Sequence, residues 1–205
     1  MLRCALIIDY QNIHLVAGRI FAPGQKVSQS LIDPSQFATQ VVQVRNEKMN
    51  SPDLRAEVTR IQVYRGLPSS DRDPKGHAAN LRQKKSWESD PRVVVTLRPL
   101  TYQVISDPVS RSQIVRAVEK GVDVLCALSI VRESRRSDVD LVIVASHDSD
   151  LVPALDEVLS TTRTRIETAS WSSKSWGARI RPDRRNIWNT YLQKEDFEIT
   201  RMNRG

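Results

Sequence analysis

At 205 residues, 40% hydrophobic and 27% charged, the chain has the size and apolar content of one globular domain and lacks the bias of a fibrous or disordered sequence. A formal charge of +7 and an isoelectric point near 9.7 favour polyanionic partners, nucleic acid first. Cys4 and Cys126 both lie in apolar surroundings, which excludes a disulfide framework and a zinc cluster and leaves a reducing cytoplasm as the expected compartment.

The first residues, MLRCALIIDYQN, carry an apolar run cut by Asp9 with no small-residue cleavage pattern, so a signal peptide is not expected. No run approaches the roughly 18 apolar residues of a membrane span, and no membrane contact is expected. Cys4 to Ile8 predicts a strand buried on both faces that stops at Asp9. Gly18, Pro23 and Gly24 then make residues 10–32 read as a long loop. Asp33-Pro34 predicts a helix start, with Asp33 as N-cap and Pro34 in the first turn. Alternation from Val58 to Tyr64 predicts a strand, 66–76 a turn-rich loop, 77–88 a helix and Val93 to Leu97 another strand.

Residues 99–112, with Pro99 and Pro108, read as irregular. A helix is expected from near Gly121, with Val122, Leu125, Leu128 and Val131 along one face. Leu141 to Val144 is the clearest buried strand, Asp150 is expected to cap the helix that follows it, and 165–169 predicts a fifth strand. Alternating strands and helices imply an α/β domain with a mostly parallel sheet. The polar, basic segment from Ser170 reads as an extension, either loosely attached or packed on or near the domain, giving a domain at 1–170 and a Trp-containing extension at 171–205.

Two buried-looking strands each lead into acids, Asp9 after the first and Asp148 and Asp150 after the strand at 141–144. In open parallel sheets functional residues gather beyond the carboxyl ends of strands. Two carboxylates about 5 Å apart repel by roughly 3 kcal/mol at an effective dielectric near 20. Such groups must hold protons or a cation, and oxygen-only ligands suit Mg²⁺ or Mn²⁺. Asp123, near a helix start, can face the same crevice. Each acid also has a plain reading: a turn for Asp9 and Asp148, a first-turn acid for Asp123, an N-cap for Asp150.

Three ordered motifs resemble the NYN domain family of PIN-like nucleases: Ile7 to His14 (IIDYQNIH), Glu119 to Ser134 (EKGVDVLCALSIVRES) and Asp140 to Val158 (DLVIVASHDSDLVPALDEV). The resemblance spans roughly residues 3–170. It implies a PIN-like three-layer fold with a central parallel sheet between helices, and a ribonuclease dependent on Mg²⁺ or Mn²⁺. It places Asp9, Asp123 and Asp148 on the metal, with Asp150 as a further ligand or an outer acid. Asn12 would orient Asp9 or touch the scissile phosphate, and Ser146 would shape the loop. Apart from the resemblance, Lys120 adjoins the Asp123 motif and reads equally as a point charge for a phosphate or as an exposed helix-start lysine. His147 stands where the family usually has Gly, and Ser129 where it often has Asp, so activity is less firmly implied than fold.

His14, His77 and His147 have no metal-ligand spacing, and His147 reads as a solvated loop residue. From Arg163 to Gly205 ten Lys and Arg face five Asp and Glu, giving +5 of the chain's +7, with Trp171, Trp176 and Trp188 among them. Arginine beside tryptophan suits RNA, and tryptophans docked on the core are the equal alternative. RNA is the expected partner, and a homo-oligomer is left open. Two other functions remain: an RNA-binding module without catalysis, and a toxin-like regulatory protein controlled by a partner.

Overall fold

The computed structural model describes residues 1–106 and 113–202. Its frame is a six-stranded sheet built from β1 (Leu2–Asp9), β2 (Ala56–Leu67), β3 (Val93–Pro99), β6 (Leu141–Ala145), β7 (Arg165–Trp171) and β8 (Asn189–Leu192). The spatial order is β3-β2-β1-β6-β7-β8, and every neighbouring pair runs parallel. The chain winds outward from β1 to β3, then crosses to the other side of β1 and winds outward again. Between β1 and β6 the winding reverses, and this is where open parallel sheets leave a crevice beyond the strand ends.

Side chains alternate between two cores. Cys4, Leu6 and Ile8 of β1 and Leu141, Ile143 and Ala145 of β6 face one layer, which holds α1 (Tyr10–Phe21), α2 (Pro34–Glu47) and Phe197 of α6 (Lys194–Thr200). Trp87, the last residue of α3 (Pro74–Trp87), joins the same core. Ala5, Ile7, Val142 and Val144 face the other layer, formed by α4 (Val122–Ser134) and α5 (Val152–Thr161). The three-layer α/β arrangement is therefore as expected. Continuous apolar runs arise because both sheet faces are covered. Within the first layer Arg45 and Glu167 form a buried bidentate pair, with Nε–Oε2 at 2.6 Å and Nη2–Oε1 at 2.9 Å.

Asp33 caps α2 through the Ser35 and Gln36 amides, with Pro34 in the first turn, as its sequence predicts. The helix expected at 77–88 starts three residues earlier at Pro74, capped by Asp73. The reading of 10–32 as loop is corrected over Tyr10–Phe21. Tyr10, Ile13, His14 and Ala17 give α1 a buried face, and Asp9 caps it. Gly18 looked like a breaker, but a Cβ there would stand 2.7 Å from Ser30 Oγ, so close packing explains the glycine.

The expected irregular stretch 99–112 is corrected at 101–106. There β4 (Thr101–Ser106) pairs antiparallel with β5 (Gln113–Val118), and residues 107–112 of that stretch lie outside the described residues. Of the two readings of the extension, loose attachment is corrected, because β7 runs through Trp171 and β8 adds the sixth strand. Trp171 is fully buried against Phe21, Phe37 and Phe197. Residues 203–205 of that segment lie outside the described residues. Among the described residues no helix is long and apolar enough to cross a membrane.

Candidate functional site

The β1–β6 register sets Ile8 beside Ala145, which brings Asp9 alongside Ser146 at the point where the winding reverses. Ser146 is fully buried and joins the two acidic strand ends. Its hydroxyl donates to Asp9 Oδ2 at 2.9 Å and accepts from the Asp148 amide at 3.0 Å. Asp9 also accepts from the Asn12 amide at 3.4 Å, which closes the first turn of α1.

Asp9, Glu119, Asp123 and Asp148 line one cleft of about 450 Å³, together with Lys120 and Gly121. Asp123 enters from the first turn of α4, where the helix N-terminus favours a carboxylate. Gly121 precedes that helix with φ +79°, a left-handed conformation that favours glycine. Glu119 follows β5 and accepts from the Gly66 amide at 2.7 Å. Sequence reasoning assigned Glu119 no role. Its available signal was its place four residues before Asp123 in the E-K-G-V-D run.

Burial pushes the Asp9 carboxyl up to about 6, against hydrogen bonds from Ser146 and Asn12 and with help from Glu119 and Asp148. Burial also raises Glu119, with Asp123 adding to the effect. The Cys126 thiol, one turn beyond Asp123, is pushed up first by burial and then by all four carboxylates. Negative charge is thus concentrated beneath the cleft. Exposed Lys120 lies at its edge, and the Arg98 guanidinium passes about 4 Å from where a Gly121 Cβ would stand.

The other expected site residues fall differently. Asp150 is exposed and outside the cleft lining. It is not the N-cap of α5 as expected. Instead Asp148 caps the short 3-10 turn Ser149–Leu151 by accepting from the Asp150 amide at 3.0 Å. The Asn12 side chain does not orient Asp9. Its Oδ1 accepts from the His147 amide at 2.9 Å and from His147 Nδ1 at 3.1 Å. His147 Nε2 accepts from the Trp171 amide at 3.1 Å, so the proton sits on Nδ1.

His147 is therefore a half-buried bridge between β6, α1 and β7, which corrects its reading as a solvated residue. Burial lowers its pKa to about 4. Ser129 is buried at 3.3 Å from Arg132 Nη2 and does not line the cleft.

Among the described residues no three His, Cys, Asp or Glu side chains are arranged to hold a metal ion by themselves. The donor set nonetheless fits a hard cation: four carboxylates in one cleft, one of them buried with a raised pKa. Mg²⁺ in phosphate chemistry is commonly held by one or two carboxylates with waters and substrate oxygens, so a complete protein cage is not required. The basic tail contributes elsewhere. Arg163, Arg165, Arg185 and half-exposed Trp188 line a groove at the amino end of β7, the opposite edge of the sheet from Asp9.

Fold and cleft together define an α/β domain with an acidic site at a topological switch point. The chain belongs to the NYN domain family, whose model matches residues 3–179, and its fold is of the nuclease type. A solved structure of a Vibrio parahaemolyticus protein of unknown function is similar at 18% identity and a TM-score of 0.47, over 82% of this chain and 81% of that one. No curated protein resembles the chain closely enough to count as a relative.

Proposed function

We propose that the chain is a ribonuclease that hydrolyses RNA phosphodiesters with Mg²⁺ or Mn²⁺ at the Asp9 cleft. The observation that carries this is the meeting of four carboxylates at the switch point of a basic chain. Asp9, Asp123 and Asp148 would hold the ion, with Glu119 in place of Asp150 as the fourth acid. When bound, such an ion activates water and stabilises the charge that develops on phosphate oxygens.

Ser146 is a positioning residue that ties Asp9 to the Asp148 backbone. Asn12 and His147 hold the loop between β6 and α5 against α1. Lys120 and Arg98 offer positive charge to the RNA backbone beside the acids, and the N-terminus of α4 favours a phosphate there. The test is cleavage of labelled RNA with Mn²⁺ by the wild type, Asp9→Asn and Asp148→Asn. Loss of activity in both variants is expected, and equal cleavage by all three removes the site assignment. A second reading is RNA binding without catalysis, which the chain's net charge of +7 supports equally. Salt-sensitive RNA binding with no metal-dependent cleavage would establish it.

A further inference from the structure

The acidic cleft gathers negative charge, so the chain's net +7 is carried elsewhere on the molecule. Part of it lines a groove of about 580 Å³ at the amino end of β7, where Arg163, Arg165 and Arg185 are all exposed. Among the described residues Arg163 and Arg185 form no ion pair. Arg165 Nη1 stands 4.0 Å from Glu167 Oε1. Glu167 is the only acid in the lining, and Arg45 already holds both of its oxygens in the buried pair. Three guanidiniums thus share one groove without a carboxylate of their own.

The groove is separate from the acidic cleft and shares no lining residue with it. Arg165 pairs with Leu141, and Ala169 pairs with Ala145 four steps further toward the cleft. At about 3.3 Å per step, the groove lies roughly 13 Å short of the strand ends that carry the acids.

Trp188 completes the groove. It is 40% exposed and is the only exposed aromatic residue among those described. Its Nε1 donates to Oγ1 of buried Thr190 at 3.3 Å, and its carbonyl accepts from the Thr168 amide at 3.0 Å, so the ring is tethered by its polar edge. The stretch before it is pinned as well. Asp156 of α5 accepts from the Asp183 and Arg184 amides at 3.2 and 3.1 Å, and Ile187 packs on the second core. Arg185 and Trp188 therefore sit on an anchored loop, facing a strand whose other residues are buried. A site held in place beforehand loses less conformational freedom on binding.

Guanidiniums suit phosphates, which they bind in bidentate fashion. An exposed tryptophan beside them suits the face of an unpaired base. A duplex hides its base faces by stacking and offers the ring nothing. An acidic peptide would satisfy the arginines and leave the ring without a partner. We propose that this groove binds single-stranded RNA, with phosphates on Arg163, Arg165 and Arg185 and one base on Trp188. This rests on the RNA reading of the chain and adds to it a docking site away from the acidic cleft.

The test measures binding apart from cleavage, in a metal-chelating buffer. A labelled unpaired RNA oligonucleotide is titrated with the chain by fluorescence anisotropy at several salt concentrations. The double variant Arg163→Gln with Arg185→Gln should bind more weakly and lower the log–log salt slope by about 1.4, since each phosphate contact on a single strand contributes about 0.7. Trp188→Leu should weaken binding about tenfold and leave the slope unchanged, because a stacked base adds no charge. Trp188→Phe keeps an aromatic ring and should retain most of the affinity, which separates stacking from damage to the fold.

The RNA should also quench the tryptophan emission of the wild type, and quench Trp188→Phe much less. Inorganic polyphosphate should compete without quenching, and duplex RNA and polyglutamate should compete worse than unpaired RNA. Unchanged affinity in the double variant or in Trp188→Leu overturns the proposal. So does equal quenching by polyphosphate, which leaves a plain anion site, or equal competition by polyglutamate, which favours an acidic protein. A chain whose groove variants lose RNA affinity but which never cleaves with Mn²⁺ refutes the ribonuclease reading alone. One that cleaves, and binds RNA equally well without the groove residues, refutes the groove alone.

Discussion

Asp9→Asn isolates the electrostatic strain at the centre of the cleft. Asp9 is nearly fully buried, and its carboxyl is raised from 3.8 to about 6, which makes its ionised form cost the folded chain roughly 3 kcal/mol at neutral pH. The folded-state pKa is above the unfolded one. Stability from the protonated carboxyl is therefore complete below about 3.8 and is lost as pH rises through about 6. Asparagine keeps an acceptor for the Asn12 amide and a partner for Ser146 without the charge. Without divalent cation, the variant should be more stable than wild type at pH 7.5 by up to roughly 3 kcal/mol, with no advantage at pH 3.5.

His14 and His147 have depressed pKa values, so each contributes stability above about 6.5 that is lost as pH falls through its folded value. They act equally in both chains, so the difference between wild type and variant reports Asp9. Urea unfolding at the two pH values measures it. Saturating Mn²⁺ should stabilise wild type, by about 2.7 kcal/mol at a hundredfold excess over Kd, and leave the variant nearly unchanged. A variant equally destabilised at both pH values, or equally stabilised by Mn²⁺, would refute the reasoning.

Ser146→Ala removes one charge-assisted bond to Asp9 and the acceptor for a buried amide, so a loss of about 2–4 kcal/mol is expected in denaturant titration, with slower RNA cleavage. Arg45→Met leaves Glu167 buried without its bidentate partner. It should cost about 3–5 kcal/mol, and a smaller loss in the double variant Arg45→Met with Glu167→Leu would confirm the coupling. Lys120→Ala should weaken RNA binding across sequences and lower the log–log salt slope by about 1, read from titrations at several salt concentrations. An unchanged slope would remove Lys120 from the phosphate path.

The elements that position Asp9 and Asp148 were legible because burial on both sheet faces demands unbroken apolar runs, and an acid ending such a run stands out. Asp33-Pro34 was equally plain, since a cap and a first-turn proline act within a few residues. α1 was not legible. The reason for Gly18 lies in Ser30, and nothing nearby in the chain reveals that a side chain would collide there. Glu119 was hidden for a related reason: an acid after a strand looks solvated until Gly66 of β2 supplies its hydrogen bond.

Local sequence, then, determined the covered parallel sheet, the basic charge and the two acids that end its strands. Tertiary structure decided which acids meet. It set β1 beside β6, brought Glu119 into the cleft and left Asp150 outside it. It also drew Trp171 from a basic tail into the core and turned His147 from a loop residue into a bridge. Capping and strand patterning depend on neighbours in sequence, whereas burial of a charge or an aromatic ring depends on chain segments a hundred residues away.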